Sequence, residues 1–182
     1  MFIHAARVKK PYPVLYHLSI NADIEGLWKP QIPDGSYEDD PGDPTLYTEP
    51  STPRISLSPT VEQCFQAVYA NVKHLFADSP DRTVTFNVYR AVFNGREKLV
   101  YPDTLSKQRM VHDAHITKEH CVLTPLRMEW VSQVRVQEPS KQDQRPYYAF
   151  GDLSGGVYGW LPHAIRYNAV SSECVLPPSL NW

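Results

Sequence analysis

Six prolines between residues 29 and 53 (Pro30, Pro33, Pro41, Pro44, Pro50 and Pro53) restrict this chain more than any other feature. Proline fixes φ and has no N–H to donate, so neither a helix nor a central strand survives that density. The stretch is expected to be one long acidic loop, carrying Asp34, Glu38, Asp39, Asp40 and Asp43. Loops of this length in compact domains are either functional lids or disordered. The whole chain holds 17 prolines against 8 glycines. Its connections are therefore stiffened by proline rather than loosened by glycine.

Composition narrows the class. A chain of 182 residues suits a single domain and can bury roughly 70% of its unfolded surface. Lys and Arg total 18 against 20 Asp and Glu, a net charge of −2. That balance argues against a general nucleic-acid coat, which carries a basic excess. No apolar run approaches the ~18 residues of a spanning helix. The first ten residues lack the apolar core of a secretory signal, so a cytoplasmic protein away from membranes is expected. Cys64, Cys121 and Cys174 are odd in number and far apart, unlike a disulfide framework or a zinc site. No metal is expected.

Periodicity sets the elements. Residues 14–19 alternate as a short strand, with Val14, Tyr16 and Leu18 on one face and Leu15 and His17 on the other. Residues 20–27 read as a helical turn ending near Gly26. Residues 54–58 form a strand. A helix over about 59–77 follows, with Val61, Cys64, Phe65, Val68, Val72, Leu75 and Phe76 as its apolar stripe. It can start from Ser58 with Pro59 inside it, or from a Thr60–Gln63 capping box. Residues 83–93 alternate throughout, and Asn94-Gly95 is a hairpin-type turn signal. Residues 99–101 are a short apolar piece. Residues 120–124 and 130–136 are two further strands, separated by 125–128. The expectation is an α+β fold: a mostly antiparallel twisted sheet, one long amphipathic helix and long Pro-rich loops. Residues 1–136 form the core domain, and the aromatic, Pro- and Gly-rich 137–182 is an extension packed upon it.

Three of these pieces carry a family resemblance. Leu15-Tyr16-His17-Leu18-Ser19 resembles the opening strand of ADP-ribosyltransferases, in which a His or Arg grips the NAD ribose. Arg54-Ile55-Ser56-Leu57-Ser58-Pro59, running on into the helix through Tyr69, resembles their second element, a strand ending in Ser, Thr or Tyr before an amphipathic helix. Residues 113–123 with the strand at 130–136 resemble the third, where a Glu stands at the start of a strand. The likeness covers about residues 14–136. It implies an enzyme that takes NAD as substrate, cleaves the nicotinamide–ribose bond and modifies a macromolecular target. In that reading Glu119 is the catalytic carboxylate and His17 the ribose contact. Ser19, Arg54 and Ser58 line the pocket, and Tyr16 or Tyr69 stacks on nicotinamide.

The chemistry is coherent. An oxocarbenium-like centre at the ribose needs a carboxylate beside it, and a pyrophosphate needs a cation such as Arg54 or Arg90. The plainer reading keeps equal standing: a hydrogen-bonded strand histidine, a solvated Glu and a Ser-Pro helix cap. A rival function is a non-enzymatic interaction protein, of the kind phage and mobile elements use to block a host protein. Its contact surfaces would be the acidic loop at 34–49 and the C-terminal aromatics. His112, Asp113, His115, Glu119, His120 and Cys121 crowd a short stretch but lack a metal-binding spacing. Cys64 falls on the helix stripe and reads as core. Walker and Gly-x-Gly-x-x-Gly loops are missing, which sets ATPase and Rossmann chemistry aside.

Overall fold

A computed structural model describes residues 4–22, 24–33, 52–108, 110–111, 113–147 and 159–172. The acidic loop at 34–49, His112, and the aromatics at 148–158 and 173–182 lie outside the described residues. Three short strands come first: β1 (Ala6–Arg7), β2 (Tyr16–Ser19) and β3 (Gly26–Trp28). After the proline-rich stretch come β4 (Ile55–Leu57) and the long helix α1 (Val61–Asp78). Then follow β5 (Thr83–Val92), β6 (Lys98–Val100), the short helices α2 (Pro102–Lys107) and α3 (Ala114–Thr117), β7 (His120–Val122) and β8 (Leu126–Gln137). The last strands are β9 (Gln144–Tyr147), β10 (Gly159–Pro162) and β11 (Tyr167–Ser172).

The strands form two principal antiparallel sheets, ordered β1-β6-β7-β4 and β11-β8-β5-β2, with β3 also pairing β8. The fold is α+β, as the periodicity predicts. A backbone bridge joins β2 to the end of β4: Tyr16 N–H donates to the Ser58 carbonyl at 2.8 Å, and Ser58 N–H returns to Tyr16 at 3.0 Å.

Helix α1 starts at the second of its two possible caps. Thr60 Oγ1 accepts from the Gln63 N–H at 3.2 Å, leaving Pro59 outside the helix. Its stripe of Val61, Cys64, Phe65, Tyr69 and Phe76 packs on Tyr16 and Leu18 of β2, Phe86 and Val88 of β5, and Val134 and Val136 of β8. A second core lies where the sheets meet, built from Ile55 and Leu57 of β4, Leu99, Val122, Tyr89, Ala91 and Met128. The third sets α2 and α3 against β6 and β7, through Leu105, Met110, Val111, Ala114, Val100 and Cys121.

A bulge lets β8 serve the first two cores. Opposite β5 the register runs Val88↔Ser132 and then Tyr89↔Trp130, so Val131 is the extra residue. An extra residue reverses which face the even-numbered side chains occupy. Val134 and Val136 therefore point to α1, while Leu126 and Met128 point to the core between the sheets.

Four expectations change. The described residues of 20–27 are not helical; Gly26, at φ +116°, opens strand β3 instead. Asn94-Gly95 does turn the chain, held by Glu97, whose Oε2 accepts from Asn94 N–H at 3.1 Å and Gly95 N–H at 3.0 Å. The flanking strands do not pair, because β5 and β6 belong to different sheets. Strand β8 begins at Leu126, straight after Pro125, so no loop separates residues 126–128 from it. The C-terminal region also contributes directly to the main sheet: β11 pairs β8 from Tyr167↔Val136 to Ser172↔Ser132. Among the described residues, no helix is long and apolar enough to cross a membrane.

Phe65 is fully buried between Tyr69, Phe76 and Phe86, with ring centroids 5.6 to 6.1 Å away. Phe65→Ala is expected to lower the unfolding free energy by about 3–5 kcal/mol, and Thr60→Ala by about 1 kcal/mol. Urea denaturation measures both. Equal small losses would mean that α1 does not pack on the sheet through this stripe.

Candidate functional site

Strands β2 and β4 touch at Tyr16–Ser58 and then separate. The next carbonyl along β4, that of Ser56, is taken by a side chain: His17 Nδ1 lies 2.8 Å from it. A carbonyl can only accept, so Nδ1 carries the proton and Nε2 is left as an acceptor. Burial depresses the His17 pKa below 6.5, with the Ser56 carbonyl acting in the opposite sense. The ring is therefore neutral near pH 7. Its edge meets Trp28 in a T-shaped contact, centroids 5.0 Å apart.

A cleft of about 570 Å³ opens beside this histidine. That volume is in the range of small-molecule sites. Its walls include His17 and Ser19 from β2, Arg54 and Ser56 from β4, and Trp28 and Lys29 from the segment around β3. A much smaller cavity of about 30 Å³ shares His17 and Ser56 with the cleft and adds Ser58, Cys64 and Glu119. Leu18, Leu57, Ala67 and Val68 complete its lining, and it is too small for a sugar ring.

The outer wall of the cleft is a strap tied to both sheets. Strand β3 pairs β8 from Gly26↔Met128 to Trp28↔Leu126. Gln31 then exchanges two backbone bonds with Arg54, at 2.8 and 3.2 Å. Where the strap leaves β2, buried Asn87 anchors it. Asn87 Nδ2 donates to the Asn21 carbonyl at 3.1 Å, while its Oδ1 accepts from Trp130 Nε1 and Gln133 Nε2 at 3.2 and 3.0 Å. Glu25 Oε1 accepts from the Trp130 N–H at 2.6 Å, beside the bulge. Every polar atom of the Asn87 carboxamide that acts here has a partner, as a buried amide requires.

The expected site residues divide into two groups. His17, Ser19 and Arg54 line the cleft, and His17, Ser58 and Glu119 line the small cavity. Strands β2 and β7 are not neighbours, as β4 stands between them. Glu119 nevertheless enters the shared cavity because it precedes β7, where Cys121 is opposite Ser56. It is 6% exposed, so the picture of a solvated strand-start Glu does not apply. Cys121 Sγ donates to Glu119 Oε1 at 3.8 Å. Just before it Lys118 takes the left-handed conformation, φ 53°, that turns α3 into β7.

The two tyrosines require correction. Tyr16 and Tyr69 are both packed in the α1 core and stand in neither cavity among the described lining residues. Tyr16 shares the β2 face of Leu18, opposite that of His17, because successive strand side chains alternate. Tyr69 follows the helix stripe, and its hydroxyl accepts from Gln144 Nε2 at 3.3 Å. The aromatic ring that the cleft does hold is Trp28, which periodicity could not single out in a three-residue strand. Cys64 is core as expected: burial pushes its thiol up to about 12, and Sγ donates to the Tyr16 carbonyl at 3.2 Å.

The depressed His17 pKa makes stability depend on pH. The unfolded chain takes up this proton first, near pH 6.5. The contribution is complete above that pH, is lost as pH falls from 6.5 to the folded value, and changes no further below it. His120 is shifted the same way, again mainly by burial. Denaturant midpoints are therefore expected to fall between about pH 7 and 5, less steeply in His17→Asn; an unaltered slope in that variant would contradict the buried neutral ring. No family model matches this chain, and no match was found among curated proteins or solved structures.

Proposed function

We propose that this protein is an ADP-ribosyltransferase-like enzyme that binds NAD, breaks the nicotinamide–ribose bond and passes the ADP-ribosyl group to a macromolecular target, a protein in the cytoplasm. One observation carries the reading. The three segments that resemble the family are consecutive in space, β2 bridging β4 and β4 pairing β7, and they bring His17, Ser58 and Glu119 to one small cavity beside a ligand-sized cleft.

Each group has work suited to its surroundings. The ribose occupies the larger cleft, since the smaller cavity is too small for a sugar ring. His17 Nε2 accepts a hydrogen bond from a ribose hydroxyl, the one role its tautomer leaves to it at neutral pH. Glu119 holds a hydroxyl from the other side and stabilises positive charge as the bond from C1′ to nicotinamide lengthens. The leaving group departs with the bonding pair as neutral nicotinamide. The nucleophile of the target adds at C1′ and gives up its proton to solvent water. Arg54, 5% exposed in the cleft wall, is the cation for the pyrophosphate, with Ser19 beside it. The rival interaction-protein reading depends on the loop at 34–49, outside the described residues, and on the C-terminal aromatics, of which Trp160 is 57% exposed.

Two measurements test the proposal. NAD is expected to raise the melting temperature, since a ligand at a hundred times its Kd adds about 2.7 kcal/mol to native stability; ATP and cyclic nucleotides serve as comparisons. Glu119→Gln is expected to melt close to the parent and to lose NAD turnover by about a hundredfold or more, the cost of removing a transition-state electrostatic partner. Unchanged turnover would take Glu119 out of the mechanism. The lack of any shift with NAD would remove the enzyme reading.

A further inference from the structure

The outer face of the ribbon formed by β1 and β6 carries four positive charges. Arg7 stands opposite Lys98, and Ala6 opposite Leu99. Val8 N–H then donates to the Glu97 carbonyl at 3.2 Å, which carries the register one step further and brings Lys9 beside Arg96. Side chains alternate along a strand, so Arg7, Lys9, Arg96 and Lys98 share one face. All four are exposed, while Val8, Glu97 and Leu99, on the other face, are buried. Glu97 is the one acid in residues 4–10 and 95–100. It is turned inward, where its carboxylate is taken up by the Asn94 and Gly95 N–H groups.

Like charges directly opposite each other on a sheet repel and destabilise it. Here nothing offsets them: among the described residues, none of the four side chains has a carboxylate partner. Elsewhere on the surface Arg82, Arg90, Arg127, Arg135 and Arg166 each stand 2.5 to 3.8 Å from a carboxylate oxygen. A chain of net charge −2 thus gathers unpaired cations on one ribbon. Protection of an open edge accounts for only half of them. Strand β1 is an edge, but Lys98 belongs to β6, which has β1 on one side and β7 on the other.

We propose that this face is a nucleic-acid contact, on which Arg7, Lys9, Arg96 and Lys98 hold neighbouring phosphates of a phosphodiester backbone. Opposed side chains on the ribbon are about 5 Å apart at Cβ, and successive ones along a strand about 6.6 Å, so the four make a compact grid of charge. A protein partner would need an apolar or aromatic anchor at the centre of the contact. None of the large exposed apolar side chains among the described residues belongs to β1, β6 or the turn before β6. Nucleic-acid interfaces are instead polar and strongly positive. Contacts of this kind position a backbone and carry no sequence information. The inference does not rest on the nucleotide reading of the cleft, and its test contains no NAD.

The full chain is titrated into labelled mixed-sequence oligonucleotides of about 20 residues, followed by fluorescence anisotropy from about 50 to 200 mM salt. Single-stranded DNA, single-stranded RNA and duplex DNA are compared, and the tightest identifies the nucleic acid. Four phosphate contacts predict a slope of log K against log salt of about −2.8 on a single strand and about −3.6 on a duplex. The double variant Lys9→Gln/Lys98→Gln is expected to bind about tenfold more weakly or worse at low salt, with the single-strand slope flattened by about 1.4. It should melt no lower than the parent, because repulsion within the ribbon is relieved. Arg135→Gln, whose arginine is paired with Asp81, should bind as tightly as the parent. The proposal is overturned if the parent binds none of the three at low salt, if the double variant keeps the parent affinity and slope, or if Arg135→Gln weakens binding equally. Tighter binding of poly-glutamate than of any nucleic acid would also overturn it, in favour of an acidic protein partner. Should circular dichroism show the double variant unfolded, Lys98→Gln alone decides: a slope flattened by about 0.7 supports the contact, and a parent-like slope removes it.

Discussion

The two sheets meet at the backbone bridge of Tyr16 with Ser58, and the site follows from β2 and β4 not continuing that pairing. A second bridge would continue the ladder and close the gap. Instead the imidazole of His17 takes the half-buried Ser56 carbonyl, satisfying it without bringing the strands together. The bond also fixes the tautomer, so the same contact that ends the pairing determines what the histidine offers a ligand. Strand β4 gains from standing at this seam. Ile55 and Leu57 pack into the core between the sheets, while Ser56 faces the cleft.

Two further devices keep the seam open without leaving it loose. The extra residue at Val131 rotates β8 so that one strand feeds two cores on opposite faces. The strap through β3 to Gln31 ties the β8 edge to β4, and where it leaves β2 the Asn87 carboxamide holds the Asn21 carbonyl while its oxygen accepts from Trp130 and Gln133. A buried amide in this position costs stability unless each acting group is bonded, and here each is. The cleft is thus a gap between well-packed bodies. The groups around it are pre-positioned, which is what a site must provide if binding is not to be consumed in ordering side chains.

Much of the fold was legible in the sequence because period and burial agree there. The stripe from Val61 to Phe76 has no alternative but a core-facing helix, and residues 83–93 none but a strand. The failures share a cause. Gly26 and Asn94-Gly95 were read by local turn rules, but long-range pairing with β8 and with β7 decided what those turns connect. For the site, His17, Ser19, Arg54, Ser58 and Glu119 were reachable through the resemblance. Trp28, Asn21 and Lys29 were not, because a three-residue strand has no period to read.

The sequence by itself determined that this chain is α+β and where its long helix runs, between Pro59 and Pro80. These follow from steric limits on proline and from side-chain periodicity, which act over a few residues. Tertiary structure alone decided that Tyr16 and Tyr69 are core, that Glu119 is buried beside Ser58 and His17, and that a tryptophan lines the cleft. Those outcomes depend on which strands meet and where they part, and that is set by packing among residues distant in the chain, which no local pattern encodes.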